Sequence, residues 1–340
     1  MTWRSALLLT GLLACGGDEP ASDGAPAAGK TREVTIAAYT TPREAYGQAI
    51  LPAFAAKWKA EHGEDLEFQE SYQGSGAQAR AVAEGFEADI VALSLEPDVR
   101  VVEKAGLITH DWTSGATHGM VSTSYAVIAV RPGNPKGIQD WADLAKPGVE
   151  VLTPNVRTSG GAMWNVAAIY GAAIRGHVAG VAANDPAAAE AFLASVLKNV
   201  KVMDKGARES MVTFEGGVGD AAITYENEVL VAQQAGKQIE YVLPKSTILI
   251  ENPAAVVDTY AKKHGNEEVA KALLEFLTTP EAQAAYRKYG LRPVFQGATM
   301  GLPTVTDPFT IRDLGDWSGV QATVFEKGAG YDRAMALAQK

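Results

Sequence analysis

Short apolar runs alternate with longer stretches of helical periodicity along most of the chain. Residues 34–39 form an apolar run that predicts a strand, and residues 42–62 place apolar side chains at helical spacing. Further strands are predicted at 66–69, 90–93, 125–130, 149–152, 200–203 and 221–224. Further helices are predicted at 76–85, 160–176, 187–198, 266–278 and 280–289, with a helical end at 310–340. Strands that alternate with helices are typical of parallel sheets covered by helices, so we predict an α/β fold.

The N-terminus has the pattern of an export signal. Arg4 precedes the apolar run 6–13, which is far shorter than the roughly 20 residues that a membrane-spanning helix needs. The run ends in Leu12-Leu13-Ala14-Cys15-Gly16. Small residues before a lone cysteine resemble the lipobox of bacterial lipoproteins.

The lipobox resemblance implies that residues 1–14 are a signal peptide and that Cys15 carries lipid. The alternative is a chance cysteine behind an ordinary signal peptide. Residues 15–30 are rich in Gly, Ala, Pro and Asp and have no apolar period. Such a segment cannot bury enough apolar surface to fold, so it predicts a flexible tether between membrane and folded body.

Composition narrows the possible functions. The 340 residues predict about two domains at roughly 150 residues each. The net charge is −10 and no Lys/Arg-rich run is present, which argues against nucleic-acid binding. An anion bound by so acidic a chain must be held by local dipoles and hydrogen bonds. The single cysteine rules out a disulfide within the chain.

Four predicted strands end in loops rich in Thr, Ser and Gly that open a helix. These loops are Thr40-Thr41-Pro42, Gly74-Ser75-Gly76, Thr158-Ser159-Gly160-Gly161 and Lys205-Gly206-Ala207. Ligands of open α/β sheets bind at the carboxyl ends of strands, where helix N-termini offer free N–H groups and partial positive charge. One such loop is more often a simple cap and turn. Four of them, two near the start and two past the middle, predict an anion site in a cleft between two lobes.

Several longer motifs accompany these loops. They are Glu87-Ala88-Asp89-Ile90-Val91, Arg131-Pro132-Gly133-Asn134-Pro135-Lys136, Thr153-Pro154-Asn155, Thr158-Ser159-Gly160-Gly161-Ala162, Gly206-Ala207-Arg208 and Glu226-Asn227-Glu228. With them the chain after the tether resembles the periplasmic sulfate- and thiosulfate-binding proteins of ABC uptake systems. The resemblance implies a two-lobed periplasmic binding protein fold of type II, in which each lobe is a mostly parallel sheet flanked by helices. Crossover strands join the lobes.

The resemblance also implies the domain limits. Residues 31–124 would start the first lobe, and residues 125–250 would form the second. Residues 251–340 would return to the first lobe and add the C-terminal helices. The implied function is capture of sulfate or thiosulfate by a monomer outside the cytoplasm, anchored through Cys15, and delivery to a membrane permease with its ATPase. No cofactor or metal is implied.

The family's binding site carries over to seven positions. Hydroxyl donors fall on Ser75 and Ser159, and an indole donor of the family falls on Tyr225. Backbone N–H donors are implied at Thr40, Gly160, Gly161 and Ala207. The chain departs from the family at four places, since Thr40 stands for an Asp, Tyr225 for a Trp, Met163 for an Arg and Val156 for a Pro. A phenol can accept as well as donate, so the change at Tyr225 bears on ligand choice.

Other functions remain open at the level of the sequence. The ligand can be another tetrahedral oxyanion, phosphate or molybdate, and Glu226 or Asp204 would then supply a carboxylate acceptor. An anion-sensing lipoprotein would have the same site. A hydrolase using Ser75 or Ser159 would need a positioned base, and the sequence offers none. The five histidines have no metal-ligand spacing.

Overall fold

The computed structural model describes residues 31–295 and 301–340, so the predictions for the signal peptide, Cys15 and the tether lie outside the described residues. The strands of this part are β1 (Thr31–Tyr39), β2 (Asp65–Gln73), β3 (Ile90–Ala92), β4 (Met120–Val130), β5 (Val151–Pro154), β6 (Val200–Asp204), β7 (Ala221–Tyr225), β8 (Glu240–Val242), β9 (Ser246–Val256) and β10 (Asp307–Phe309).

The helices follow most of these strands in the chain. They are α1 (Arg43–Ala45), α2 (Leu51–His62), α3 (Ser75–Ala83), α4 (Glu96–Lys104), α5 (Gly160–Ile174), α6 (Pro186–Lys198), α7 (Ala207–Glu215), α8 (Glu226–Gln234), α9 (Asp258–His264), α10 (Glu267–Phe276), α11 (Pro280–Lys288), α12 (Asp316–Val320) and α13 (Gly330–Ala338). A π-helical turn at Tyr46–Ile50 joins α1 to α2. Among the described residues, no helix combines the length and the apolar character needed to cross a bilayer.

The strands form one curled, mixed sheet in the order β2-β1-β3-β9-β4-β7-β5-β6. β1 pairs in parallel with β2 and β3, and β5 pairs in parallel with β6 and β7. β9 runs antiparallel to β3 and β4, and β4 runs antiparallel to β7. Each parallel group keeps the carboxyl ends of its strands on one edge, which brings the loops after β1, β3, β5 and β7 toward the same cleft.

The long strands β4 and β9 connect the two parallel groups. The last residues of β9 (254–256) pair with β3. Its middle pairs with the start of β4, whose second half (126–130) pairs with β7. Both strands therefore belong to both halves of the molecule, as the predicted crossover strands require.

Each half has its own core on both faces of the sheet. In the first lobe, Ile36 packs with Phe54 of α2 on one face, and Ala37 packs with Val82 of α3 on the other. In the second lobe, α5 and α6 cover one face, and α7 and α8 cover the other. Two cores with a shared pair of strands make two lobes that can move against each other.

The C-terminal helices pack on the second lobe. Trp317 of α12 meets Trp164 of α5 edge to face, with 4.7 Å between ring centroids. Val324 and Tyr331 join the same core as Trp164 and Leu193. The end of the chain therefore stabilises α5, the helix that opens at the predicted anion site.

The predicted α/β fold with parallel strand pairs is confirmed. The pattern missed β8, β9, β10, α4, α8 and α9, and it predicted only the second half of β4. β9 contains Pro253, which argues against a central strand because proline cannot donate to the ladder. The structure tolerates Pro253 because it pairs with Met120, where the register shifts.

Candidate functional site

The N-terminus of α5 presents three of the predicted ligand residues. Ser159 is the N-cap, and its Oγ accepts the N–H of Ala162 at 3.4 Å. The hydroxyl proton of Ser159 remains available for another acceptor. Gly160 and Gly161 form the first turn, where N–H groups have no partner within the helix. α5 thus offers two backbone donors and one hydroxyl at its positive end.

The two glycines allow the opposite side of the cleft to approach. A Cβ built on Gly160 would lie 2.3 Å from Leu95 Cδ2 and 2.8 Å from Ser94 Cβ. A Cβ built on Gly161 would lie 2.9 Å from Tyr225 Cε2. Ser94 and Leu95 follow β3 in the first lobe, so the start of α5 lies directly against that lobe.

The N-terminus of α3 faces α5 from the first lobe. Its first residue, Ser75, is buried and donates its hydroxyl proton to Asp98 Oδ2 at 2.5 Å. The same Oγ accepts the N–H of Ser94 at 2.9 Å. In this structure the Ser75 hydroxyl is therefore committed to Asp98, and the donors left at this end of α3 are the backbone N–H groups. The family resemblance implied that the Ser75 hydroxyl contacts the ligand. Asp98 lies 23 residues away in the chain, so the sequence pattern could not show that it lies next to Ser75.

Tyr225 closes the site from the second lobe. It is the last residue of β7 and the N-cap of α8, and its side chain is fully buried. Tyr225 Oη lies 2.6 Å from Ser94 Oγ. Burial raises the pKa of Tyr225 well above its ordinary value, against the hydrogen bond with Ser94, which lowers it. Tyr225 therefore keeps its proton at any physiological pH.

Ala207 and Thr40 complete the predicted set. Ala207 begins α7, and its Cβ would be 3.2 Å from a Cβ on Gly161. Thr40 directly follows Tyr39, whose ring lies 6.1 Å from that of Tyr225. Thr40 also lines a cavity of about 340 Å³ with Arg208. All seven predicted residues thus come to one region between the lobes, and their contact with a ligand stays a prediction.

Arg208 links the lobes beside Ala207. Its Nη1 lies 2.8 Å from Glu44 of α1 in the first lobe, and its Nε lies 2.7 Å from Glu228 of α8 in the second. Burial lowers the pKa of Arg208, but the two carboxylates outweigh burial and hold that pKa above its ordinary value. Burial raises the pKa of Glu228, against the charge of Arg208. The cation is balanced within the protein, so it is not a free counter-charge for an anion.

The lobes are in contact across the cleft at further points. A Cβ on Gly74 would lie 2.6 Å from the carbonyl oxygen of Thr158. Trp164 Nε1 donates to the carbonyl of Ser94 at 2.9 Å. Together with the Tyr225–Ser94 and Arg208–Glu44 contacts, these describe a closed cleft. The structure therefore represents the arrangement in which a small ligand would be enclosed.

Asp98 is a buried carboxyl beside the first turn of α3, where its Oδ1 lies 3.5 Å from a Cβ built on Gly76. Burial raises its pKa to about 6, against the hydrogen bond from Ser75 and the charge of Arg80, which lower it. Asp98 and Met163 line one cavity of about 210 Å³. The family resemblance puts an arginine at Met163, so Asp98 lacks the cation that this position would provide.

We expect Asp98→Asn to stabilise the protein in neutral and alkaline solution. The folded pKa of Asp98 is raised, so its ionised form opposes folding, and stability falls as pH rises from about 4 to about 6. Asparagine keeps an oxygen for Ser75 and carries no charge. Urea unfolding at alkaline pH should show a gain on the order of 1–3 kcal/mol, which disappears below the unfolded pKa of about 4.

Asp89 offers the matched control for this substitution. It is also buried, but its carboxylate accepts the N–H of Thr35 at 2.8 Å and contacts the His264 ring at 2.8 Å. Asp89→Asn should therefore destabilise the fold, because charge-assisted bonds are lost. Equal effects of the two substitutions at alkaline pH would contradict the view that burial of the Asp98 charge outweighs its interactions with Ser75 and Arg80.

The carboxylates considered as proton acceptors have other partners. Glu226 is fully buried and pairs with Arg292, at 2.6 Å from Oε2 to Nε. Asp204 Oδ1 accepts the hydroxyl of Thr213 at 2.9 Å, whereas Asp204 Oδ2 is buried without a hydrogen bond. Glu226, which directly follows Tyr225 in the chain, is thus part of a buried ion pair with Arg292. Within residues 31–295 and 301–340, no group of three or more metal-ligating side chains is assembled.

Ser94 and Glu44 are functional candidates that sequence reasoning missed. Ser94 follows a predicted strand, which is the signal that could have drawn attention to it. It lacks the neighbouring glycine that marked three of the four predicted loops. Glu44 gained significance only through Arg208, which lies 164 positions further along the chain.

Comparison with known proteins agrees with this geometry. A family model described as "Bacterial extracellular solute-binding protein" matches residues 34–292. The sulfate-binding protein of Synechococcus elongatus is 42% identical, over 98% of this chain and 95% of that protein. This chain belongs to the bacterial extracellular solute-binding proteins.

Two further similarities place the chain within this family of solute-binding proteins. The thiosulfate-binding protein of Pseudomonas aeruginosa is 33% identical over 97% of each chain. The solved structure of the sulfate-binding protein SubI from Mycobacterium tuberculosis superposes with a TM-score of 0.79 at 36% identity, covering 87% of this chain and 100% of that one. The chain groups with the sulfate- and thiosulfate-binding members, as the loop motifs predict.

Proposed function

We propose that this solute-binding protein captures sulfate, or the closely similar thiosulfate, as the receptor of an ABC uptake system. The observation that carries the proposal is the close approach of Tyr225, Ala207 and Ser94 to Gly160 and Gly161, the first residues of α5. That enclosure sits where α3, α5 and α7 begin. Its relatives are named as sulfate-binding and thiosulfate-binding proteins, and this supports sulfate and thiosulfate as the ligands.

Electrostatics favours a dianion in this position. Each helix N-terminus carries roughly half a positive charge, so three of them supply a field that needs no counter-ion. Arg208 is already balanced by Glu44 and Glu228, and this leaves neutral donors to hold the ligand. Sulfate carries no proton near neutral pH and asks only for donors. A ring of amides and hydroxyls therefore suits it.

Delivery completes the proposed role. As a member of an extracellular family, the protein works outside the cytoplasm, and we place it at the membrane through lipid on Cys15. Its partners would be a permease and an ATPase, which the closed protein would contact as a monomer. Catalysis is not part of the proposal, because the Ser75 hydroxyl contacts Asp98 with no histidine in the chain of bonds, and Ser159 serves as a helix cap.

Calorimetric titration of sulfate-free protein tests this function. We expect a Kd of about 1 μM or below for sulfate, since about seven donors would converge on one dianion. Ser159→Ala should weaken binding roughly tenfold to a hundredfold, because a hydrogen bond to a charged group is lost. Absence of heat with both sulfate and thiosulfate would refute the assignment.

A further inference from the structure

Tyr225 and Ser94 form a pair of buried hydroxyls at the cleft. Both side chains are fully buried, and their oxygens are 2.6 Å apart. The pair lies between the N-termini of α5 and α3, since Ser94 Oγ would be 2.7 Å from a Cβ on Gly160 and Ser94 N–H bonds to Ser75. One hydroxyl comes from each lobe, so the pair exists only in the closed arrangement.

The backbone of Ser94 is fixed by its neighbours. Its N–H donates to Ser75 Oγ, and its carbonyl accepts from Trp164 Nε1 and Asn252 Nδ2, both at 2.9 Å. Only the hydroxyl proton of Ser94 can reorient. One hydrogen bond between two hydroxyls uses one of their two protons, and either oxygen can be the donor.

The two orientations give the cleft different chemistry. When Ser94 donates to Tyr225, the phenol proton is free to donate to an oxyanion. When Tyr225 donates to Ser94, the phenol oxygen presents a lone pair that can accept a proton from a ligand. An indole at this position could only donate. The pair therefore adapts to a ligand with or without a proton.

We propose that the Tyr225–Ser94 pair lets this site bind singly protonated tetrahedral oxyanions, such as hydrogen phosphate, in addition to fully ionised ones. The inference rests on the proposed function, because it concerns the same anion site. A donor-only site rejects a protonated oxyanion by leaving its proton opposite another donor. Here Ser94 Oγ accepts the hydrogen bond from the phenol, so the phenol oxygen can in turn accept a hydrogen bond from the protonated ligand.

Two carboxylates near the pair each have a partner, and the second oxygen of one of them, Glu228 Oε1, is buried without a hydrogen bond. Asp98 accepts from Ser75, with Arg80 as its nearest charge. Glu228 pairs with Arg208 at 2.7 Å. Tyr225 keeps its own proton because burial raises its pKa well above the ordinary value. The phenol oxygen is the acceptor that the hydroxyl pair controls, because either oxygen of the pair can be the donor, and Ser94 acts as a positioning residue that sets the direction of this hydrogen bond.

Ser94→Ala separates the two binding modes. The variant keeps every backbone bond of Ser94 and leaves Tyr225 free to donate to sulfate, so the affinity for sulfate should fall much less than the affinity for hydrogen phosphate. Accepting from hydrogen phosphate would leave the phenol proton buried without a partner, so that affinity should fall roughly tenfold or more. Titrations are done with full-length protein in mildly alkaline buffer, where both ligands are dianions that differ by one proton.

Tyr225→Phe is the companion variant, because it keeps the ring and removes the phenol oxygen, which can neither donate to sulfate nor accept from hydrogen phosphate once it is gone. It should lower the affinities for sulfate and for hydrogen phosphate to a similar extent. Wild-type protein that binds sulfate without measurable hydrogen phosphate overturns the inference, and so does Ser94→Ala with an unchanged ratio of the two affinities. Wild-type protein that binds hydrogen phosphate but neither sulfate nor thiosulfate contradicts the proposed function instead.

Discussion

Gly160→Ala is expected to weaken sulfate binding by roughly a hundredfold, because the added methyl group obstructs closure of the lobes. Its Cβ would lie 2.3 Å from Leu95 Cδ2 and 2.8 Å from Ser94 Cβ, and both neighbours are buried. Overpacking of this kind costs about 1–3 kcal/mol, and the binding-competent closed form becomes rarer by the corresponding factor. Both neighbours belong to the first lobe, so the open protein should be as stable as wild type.

Two measurements check this result. Calorimetry gives the affinity, and small-angle scattering with and without sulfate reports closure. Gly76→Ala is the matched control, since Gly76 lies in the first turn of α3 and a Cβ there meets nothing closer than 3.5 Å. It should bind within about threefold of wild type, because ordinary van der Waals contact carries little strain. Normal closure and affinity in Gly160→Ala would show that the cleft does not close as described.

Arg208→Met is expected to lower the free energy of unfolding by about 3–5 kcal/mol, because it leaves a buried carboxylate without its partner. The Glu228 side chain is 1% exposed, and burial already raises its pKa. The stretched side chain of methionine replaces much of the volume of arginine, so lost packing contributes less than lost charge. Chemical denaturation of the sulfate-free protein measures the loss.

Two companions separate the roles of Arg208. Arg208→Met with Glu228→Leu should recover most of the stability, because no buried charge remains. Glu44→Gln breaks only the half of the contact that crosses the cleft, at a part-buried position. It should therefore change stability by about 1 kcal/mol or less while weakening sulfate binding a few fold. A small loss for Arg208→Met alone, below about 1 kcal/mol, would mean that Glu228 is not held in its charged form.

The sequence was sufficient to predict the start of α5, because the pattern there is local. Ser159, Gly160 and Gly161 adjoin in the chain, and a capping serine followed by two glycines indicates an open helix N-terminus. The alternation of strands and helices then predicted that such loops meet at one edge. Local pattern and overall topology agree at these positions, which is why the expectation survives in the folded chain.

The remaining features depend on contacts between distant residues. Ser94 and Tyr225 are 131 positions apart, and Ser75 and Asp98 are 23 apart. Nothing in the neighbourhood of Asp98 reveals that it is buried beneath a helix N-terminus. Pro253 hid a central strand, because proline is tolerated in a ladder only where the register shifts. Contacts of this kind can be recognised only once the three-dimensional structure is known.

Selenate provides the most direct test of the central claim that the closed cleft holds an oxyanion on helix N-termini. It has the shape and charge of sulfate, and its selenium atom can be located by anomalous scattering in crystals grown with it. We expect one selenium peak in the cleft, with the lobes closed. The selenate oxygens should lie within hydrogen-bonding distance of the amides of Gly160, Gly161 and Ala207 and of the Ser159 hydroxyl. A peak only at other surfaces, with this cleft filled by water in the same crystals, would contradict the account.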